Sequence, residues 1–371
     1  MIHRIAVVTL LILNQCFLVH AEDANSRSTT QKAPVKFGAL LTLTGEIAYL
    51  GERCRDAILL AQDDVNAAGG IQGRALKVLT EDLGPMNLVQ AVTAANKLIS
   101  GDKVSALFPA ALEDTEALAP IAERKHVPLM STGCGGVNVG KFGPNVFRST
   151  TTDHQIVERL LGYADQHNYK RLCLAYGDTS YFLSMEEDFQ SSTKAHGITL
   201  LPLQIPLNTA DTKSMALKLK GMNCDALLAF HLPGLTQQIV KNLREINIQI
   251  PILAPHYLDA SAIGKALGTA TGKFIFAEYA IPAGSFAQRY QSRFGTLPFM
   301  PAGTCYDAIA VMAHVMNKHG TDWNEVNAAL HSLKDYPGVS GPFSVLPNGD
   351  RIGQRVILRQ LSNDGTVIEE L

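Results

Sequence analysis

Apolar runs of strand length alternate with segments of helical period along almost the whole chain, and this alternation restricts the fold more than any other feature. Val35 to Leu43 reads as a buried strand. The helix predicted from Glu52 to Ala67 puts Cys54, Ala57, Ile58, Ala61 and Val65 on one face, and Ala68-Gly-Gly70 ends it. A strand over Leu76 to Thr80 leads to a helix with the stripe Leu88, Ala91, Val92, Ala95 and Leu98. Val104 to Phe108, a helix through Ile121, and Val127 to Ser131 continue the series. Such βα units build a mainly parallel sheet.

The pattern restarts at Asp153, which suits an N-cap for a helix to His167. It runs on through Arg171 to Tyr176, a helix near Phe189, and Ile198 to Leu203. Ala226 to Phe230, a helix over Gln237 to Ile246, Pro251 to Ala254 and Phe274 to Tyr279 complete a second set. No short repeat of solenoid length is present. After Pro282 come helical segments near Phe286 to Phe294, Gly303 to Asn317 and Trp323 to Leu333, then short strands around Phe343 and over Val356 to Leu361. Those helices have too few strands of their own, so they must cover an earlier sheet, and the domains are expected to be discontinuous.

The N-terminus carries Arg4, an apolar run from Ile5 to Val19 broken by Asn14 and Gln15, and small residues for cleavage at Val19-His-Ala21. This pattern predicts a signal peptide over 1–21 with cleavage after Ala21, and the run falls short of the ~20 apolar residues of a spanning helix. Leu13-Asn-Gln before Cys16 lacks the small residue expected ahead of a lipidated cysteine. The polar tract 22–34 reads as a disordered lead-in. Roughly 350 residues remain, which suits two domains. The net charge of -2 comes without a basic block, so nucleic acid and anionic membranes are poor partners.

Five cysteines follow the leader: Cys54, Cys134, Cys173, Cys224 and Cys305. The set is odd in number, widely spaced and without CxxC, so it reads as neither a disulfide framework nor a zinc or redox site. Cys173 and Cys224 sit in or beside apolar strands and read as core residues. Cys54 and Cys134 fall near the expected pocket rim, where a disulfide between them is compatible with an oxidising compartment.

Gly135-Gly-Val-Asn-Val-Gly-Lys141 fits the first seven positions of a phosphate-binding P-loop. Phe142 then stands where a hydroxyl would hold magnesium, and Gly143-Pro144 interrupts the required helix. No GxSxG, HExxH or GxGxxG string occurs, and the eleven histidines are not clustered at metal-ligand spacing. Acid pairs such as Asp63-Asp64 and Glu186-Glu-Asp188 read as solvated helix faces. No catalytic residue, metal or cofactor is expected.

Several strings resemble one family: Gly45-Glu-Ile-Ala-Tyr-Leu-Gly51, Asp64-Val-Asn-Ala-Ala-Gly-Gly-Ile-Gln-Gly73, Glu81-Asp82 and Val127-Pro-Leu-Met-Ser-Thr132. Gly177-Asp-Thr-Ser-Tyr181, Ala254-Pro255 and Tyr306-Asp-Ala-Ile309 match as well. The chain resembles the type I periplasmic binding proteins of ABC importers, in their leucine/isoleucine/valine-binding branch, over almost all of Val35 to Leu371. The resemblance implies an α/β fold of two Rossmann-like lobes joined by a three-segment hinge, with a ligand cleft between them. The crossings are expected near Thr151, Ala280 and Ser340, giving 35–151 plus 281–340 as lobe I and 152–280 plus 341–371 as lobe II. It also implies a monomer in the periplasm that delivers a small-molecule solute to an ABC permease and its ATPase.

Loops after parallel strands present backbone N–H groups that suit a carboxylate or another acceptor. By resemblance the site then comprises Thr44, Tyr49 and Leu50 after the first strand, Ala110-Ala111-Leu112 after the third, and Gly133-Cys134-Gly135 after the next. Relatives that bind amino acids tend to have hydroxyl residues in the last two loops, so backbone donors remain here but hydroxyl donors do not. Tyr181 matches an aromatic that covers the ligand in relatives, with a surface tyrosine as the alternative. His256 stands where amino-acid binders carry the acid that pairs with the α-ammonium. The expected ligand therefore lacks a free α-amino group: a small carboxylate or amide with an apolar body, to which His256 donates a hydrogen bond. An ordinary loop histidine is the alternative reading. Tyr257, His231 and Glu278 are secondary candidates, the last because it could replace the missing acid. A ligand-sensing receptor for a signalling partner and an exported enzyme on the same architecture are the rival functions.

Overall fold

The structure, a computed structural model, describes residues 32–371 apart from 85–86, 134, 137–138, 281–283, 299 and 363–366. The expected leader (1–21), most of the lead-in, and Cys134 lie outside the described residues.

The first lobe starts with β1 (Val35–Leu41), α1 (Ala48–Ala67), β2 (Leu76–Asp82), α2 (Leu88–Asn96), β3 (Ala106–Pro109), α3 (Leu112–Lys125), β4 (Leu129–Ser131) and β5 (Val146–Arg148). These strands pair in parallel in the order β2-β1-β3-β4-β5. Phe37, Ala39 and Leu41 enter the core beneath α1, while Leu40 enters the one beneath α2 and α3. Burial of both faces is why β1 reads as an unbroken apolar run. The order reverses between β1 and β3, which opens a crevice at the carboxyl ends of those strands.

The second lobe holds α4 (His154–Gln166), β6 (Arg171–Tyr176), α5 (Ser180–Ser192), β7 (Thr199–Gln204), α6 (Thr212–Met222), β8 (Ala226–Phe230), α7 (Pro233–Glu245), β9 (Ile252–Ala254), α8 (Ala260–Leu267) and β10 (Phe274–Tyr279). The chain then returns to the first lobe through α9 (Ser285–Phe294), α10 (Met300–His319) and α11 (Trp323–His331). Their Tyr290, Ile309, Met312 and Val326 share a core with Phe37. Strands β11 (Tyr336–Gly338), β12 (Gly341–Val345) and β13 (Arg351–Ile352) form a small antiparallel sheet. The last strands, β14 (Val356–Leu361) and β15 (Val367–Glu370), extend the second sheet to the order β15-β14-β10-β9-β8-β6-β7, antiparallel at that edge.

The third crossing differs from the sequence expectation. Phe343 and Val345 are buried in the first-lobe core, so the chain leaves that lobe after Ile352 and not near Ser340. Ser340-Gly-Pro has the composition of a crossing but forms a hairpin turn, with Gly341 at φ 109°. The crossing segments are tied to one another. Thr151 N donates to Gln354 Oε1 (2.8 Å), Ala280 N to Arg355 O (2.8 Å) and Arg351 Nη1 to Ser149 O (2.6 Å).

The cysteine reading also changes. Cys54 pairs with Cys305, joining α1 to α10 with Cα atoms 5.3 Å apart, and Cys173 pairs with Cys224 at 5.7 Å. Both separations suit a disulfide. Cys54 is therefore not bonded to Cys134, and Cys173 and Cys224 are not free core thiols. Spacing along the chain does not reveal a pairing that depends on two helices 251 residues apart packing side by side.

Candidate ligand cleft

A cavity of about 160 Å³ lies between the lobes. The first lobe supplies Thr42, Ile47, Leu50 and Gly51 from the β1–α1 junction, Ala110 to Asp114 from the start of α3, and Thr132 and Gly133 after β4. Met300 and Pro301 at the start of α10 and the Cys54–Cys305 bridge complete that wall. The second lobe supplies Thr179, Tyr181, Phe182, Leu232, His256 and Tyr257. Every one of these second-lobe residues follows the carboxyl end of β6, β8 or β9, where open α/β sheets place ligands.

The wall is mainly apolar, and among the described residues no lysine or arginine lines it. Its polar groups are arranged for hydrogen bonding. Ala111 precedes α3 in extended conformation and gives that helix no side-chain cap. First-turn amides therefore meet the cavity beside the Thr132 hydroxyl. Asp114, only 4% exposed, has its carboxyl pushed up to about 6, chiefly by burial and then by Glu113, against a hydrogen bond from the Ala111 amide.

Asp153 fixes the second-lobe side. It sits at the first residue position before α4, as expected of an N-cap, but its carboxylate makes no cap bond. Instead it accepts from Tyr181 Oη (2.8 Å) and Tyr279 Oη (2.8 Å), and lies 3.7 Å from His256 Nδ1. Gly135 makes room for it, since a Cβ there would stand 2.1 Å from the Asp153 carboxylate. Burial pushes the His256 imidazole below its ordinary value, against the opposing pull of Asp153. Its Nδ1 has no hydrogen-bond partner among the described residues. Burial likewise drives the Tyr181 and Tyr257 hydroxyls well above their ordinary values. Tyr181 meets Tyr257 edge-on with ring centres 5.9 Å apart.

Three contacts bridge the lobes beside the cavity. Tyr49 Oη donates to Tyr257 O (2.6 Å), Tyr181 N to Glu113 Oε1 (3.0 Å), and Gly234 N to Glu46 Oε1.

Of the residues expected from sequence, Leu50, Ala110, Ala111, Leu112, Gly133, Tyr181, His256 and Tyr257 line the cavity, and Cys134 is outside the described residues. Thr44 does not line it. β1 ends at Leu41, so Thr42 takes that place. Tyr49 bridges the lobes through its hydroxyl, and Gly135 packs on Asp153. His231 stands behind the wall, its Nε2 2.7 Å from Ile205 O and its ring stacked on Phe182. Glu278 points along the sheet to an ion pair with Arg359 (2.7 Å) and cannot replace the missing acid. Asp114, Glu113, Thr132 and the start of α10 escaped the sequence reading.

The description of the periplasmic binding proteins matches residues 34–366. The chain belongs to this family. Within it, this periplasmic binding protein is similar to a Leu/Ile/Val-binding protein homologue of Brucella abortus, 31% identical over 212 residues that make up 54% of this chain and 52% of the relative. It thus spans about half the length of the curated relatives it matches. A leucine-binding protein from Thermotoga maritima shares the fold with a TM-score of 0.83 and 21% identity, over 91% of this chain and 97% of that one. So does an ABC-transporter solute-binding protein from Rhodopseudomonas palustris in complex with 3,4-dihydroxybenzoic acid (TM-score 0.79, 22% identity, 91% and 96% covered). The two-lobed α/β architecture of this type I periplasmic binding protein is therefore that of solute-binding proteins for both amino and aromatic acids.

Proposed function

We propose that this chain is the extracytoplasmic solute-binding component of an ABC importer, exported by its leader to the periplasm. It captures a small, largely apolar carboxylate or amide without a free amino group and delivers it to a permease and its ATPase. The observation that carries this reading is an apolar interlobe cavity that His256, itself buried, lines without any lysine or arginine among the described residues, and by resemblance His256 stands where amino-acid binders carry an acid. A cavity of about 160 Å³ is close to the roughly 150 Å³ that accommodates one aromatic ring.

The polar head of such a solute finds its donors in the first lobe, at the α3 amides, while its body lies against Leu50, Leu112, Phe182 and Leu232. Closure of the lobes removes water from these bonds and strengthens them. Binding and release are all that transport requires of this component. A thermal-shift screen of amino acids, amides, and aromatic and aliphatic acids tests the reading. Acids or amides without an amino group should raise the melting temperature by mass action, and stabilisation by free amino acids alone would contradict it.

A further inference from the structure

Two cleft-facing helices of the second lobe, α5 and α7, are capped from the other lobe. Helices α2, α6, α8 and α11 are each capped by the side chain that precedes them: Asn87, Asp211, Asp259 and Asp322. α5 and α7 have no such local cap, because Thr179 and Leu232 make no side-chain bond to the first turn. Their orphan amides are taken up across the cleft. Glu113 Oε1 accepts from Tyr181 N (3.0 Å), the second residue of α5, and Glu46 Oε1 accepts from Gly234 N, the second residue of α7. Pro233 opens α7 and has no N–H, so Gly234 carries the first donor of that helix. A Cβ on Gly234 would stand 2.8 Å from Glu46 Oε1, so glycine is what lets the carboxylate reach the helix end.

We propose that Glu46 and Glu113 are a pair of closing latches, carboxylates on the first lobe that cap α7 and α5 of the second and so favour the closed arrangement of the lobes. In an open molecule both carboxylates return to water and both helix ends lose their only side-chain cap. A charged acceptor at a helix N-terminus gains from the hydrogen bond and from the helix dipole together. The same contacts fill the anion-binding ends of α5 and α7 with the protein's own carboxylates. The start of α3, which has no side-chain cap and lines the cavity, stays open to an acceptor group of the solute.

Hydrogen–deuterium exchange and small-angle X-ray scattering on the full, solute-free chain test the latches without any ligand, so the outcome is independent of the solute class proposed above. Removing either carboxylate, in Glu46→Ala or Glu113→Ala, should lower the closed-to-open ratio about tenfold or more, the equivalent of one charge-assisted bond. Exchange should quicken by a similar factor at the starts of both α5 and α7, and the radius of gyration should rise. Glu46→Gln and Glu113→Gln, which keep an uncharged acceptor, should fall between. Gly234→Ala should open the cleft with both glutamates present, and Glu116→Ala, exposed on the same helix as Glu113, should change nothing. Far-UV circular dichroism checks that each variant is folded. Faster exchange only at the helix whose own partner was removed would overturn the proposal, because the contact would then be local and would not govern closure. Unchanged exchange and scattering in both alanine variants would overturn it equally.

Discussion

Replacing Tyr279 by phenylalanine removes one oxygen and leaves the ring, which makes it a clean probe of the Asp153 cluster. The hydroxyl donates to Asp153 Oδ1 at 2.8 Å, and both residues are almost fully buried. Hydrogen bonds to charged groups contribute about 1.5–3 kcal/mol, and a buried carboxylate oxygen that loses its donor cannot recover the bond from water. His256 Nδ1 lies 3.7 Å from Oδ1, beyond hydrogen-bond range. Tyr279→Phe should therefore cost about 1.5–3 kcal/mol, measured by urea denaturation followed by circular dichroism with both disulfides oxidised. Asp153→Asn weakens both tyrosine bonds at once, so the double variant should lose less than the sum of the two, with a coupling energy of about 1–3 kcal/mol. Gly135→Ala, which drives a Cβ against the same carboxylate, should mimic Asp153→Asn. A cost below about 0.5 kcal/mol for Tyr279→Phe, together with strict additivity, would refute the view that Asp153 organises the hinge side of the cleft.

Asp114 should leave a mark on the pH dependence of stability. Its carboxyl rises from the ordinary 3.8 to about 6 on folding, so between those values the folded chain holds a proton that the unfolded chain has released. Its contribution is complete below about pH 4 and is lost as pH rises through about 6, a change of roughly 3 kcal/mol that Asp114→Asn should abolish. A wild-type and variant pair with parallel stability curves from pH 4 to 7 would contradict this. The Cys54–Cys305 bridge closes a loop of 251 residues, for which chain entropy gives about 5 kcal/mol, so Cys54→Ser with Cys305→Ser should markedly lower the denaturation midpoint. Non-reducing peptide mapping should recover Cys54 linked to Cys305, and a Cys54–Cys134 peptide would contradict the structure.

The elements were legible because each is dictated by local burial. β1 and β8 are covered on both faces and read as apolar runs, and α1 announces its core face through Cys54, Ala57, Ile58 and Ala61. Of the residues that the resemblance puts in the cleft, those that line the cavity lie in loops or first helical turns after strands, as at Leu50, Ala110 to Leu112, Gly133 and His256. The cleft was not legible where a helix distant in sequence closes it. Met300 and Pro301 precede the helix predicted over Gly303 to Asn317, and only the packing of α10 on α1 brings them to the wall. Glu46 and Glu113 gain their partners only from helix starts of the second lobe, a pairing that local sequence does not show. Glu278 failed for a simpler reason. Alternation along β10 turns its side chain toward Arg359 on β14 and away from the cleft.

The central claim, that this cleft takes apolar solutes whose polar head carries no ammonium group, is met most directly by calorimetric titration of the full chain with matched pairs. 4-Methylpentanoate against leucine, and 3-phenylpropionate against phenylalanine, differ only in the amino group. The solute without the amino group should bind the more tightly in at least one pair, by about a hundredfold or more, because no unpaired acid waits at His256 for a desolvated ammonium. Tighter binding of leucine and phenylalanine than of their deaminated partners would contradict the account.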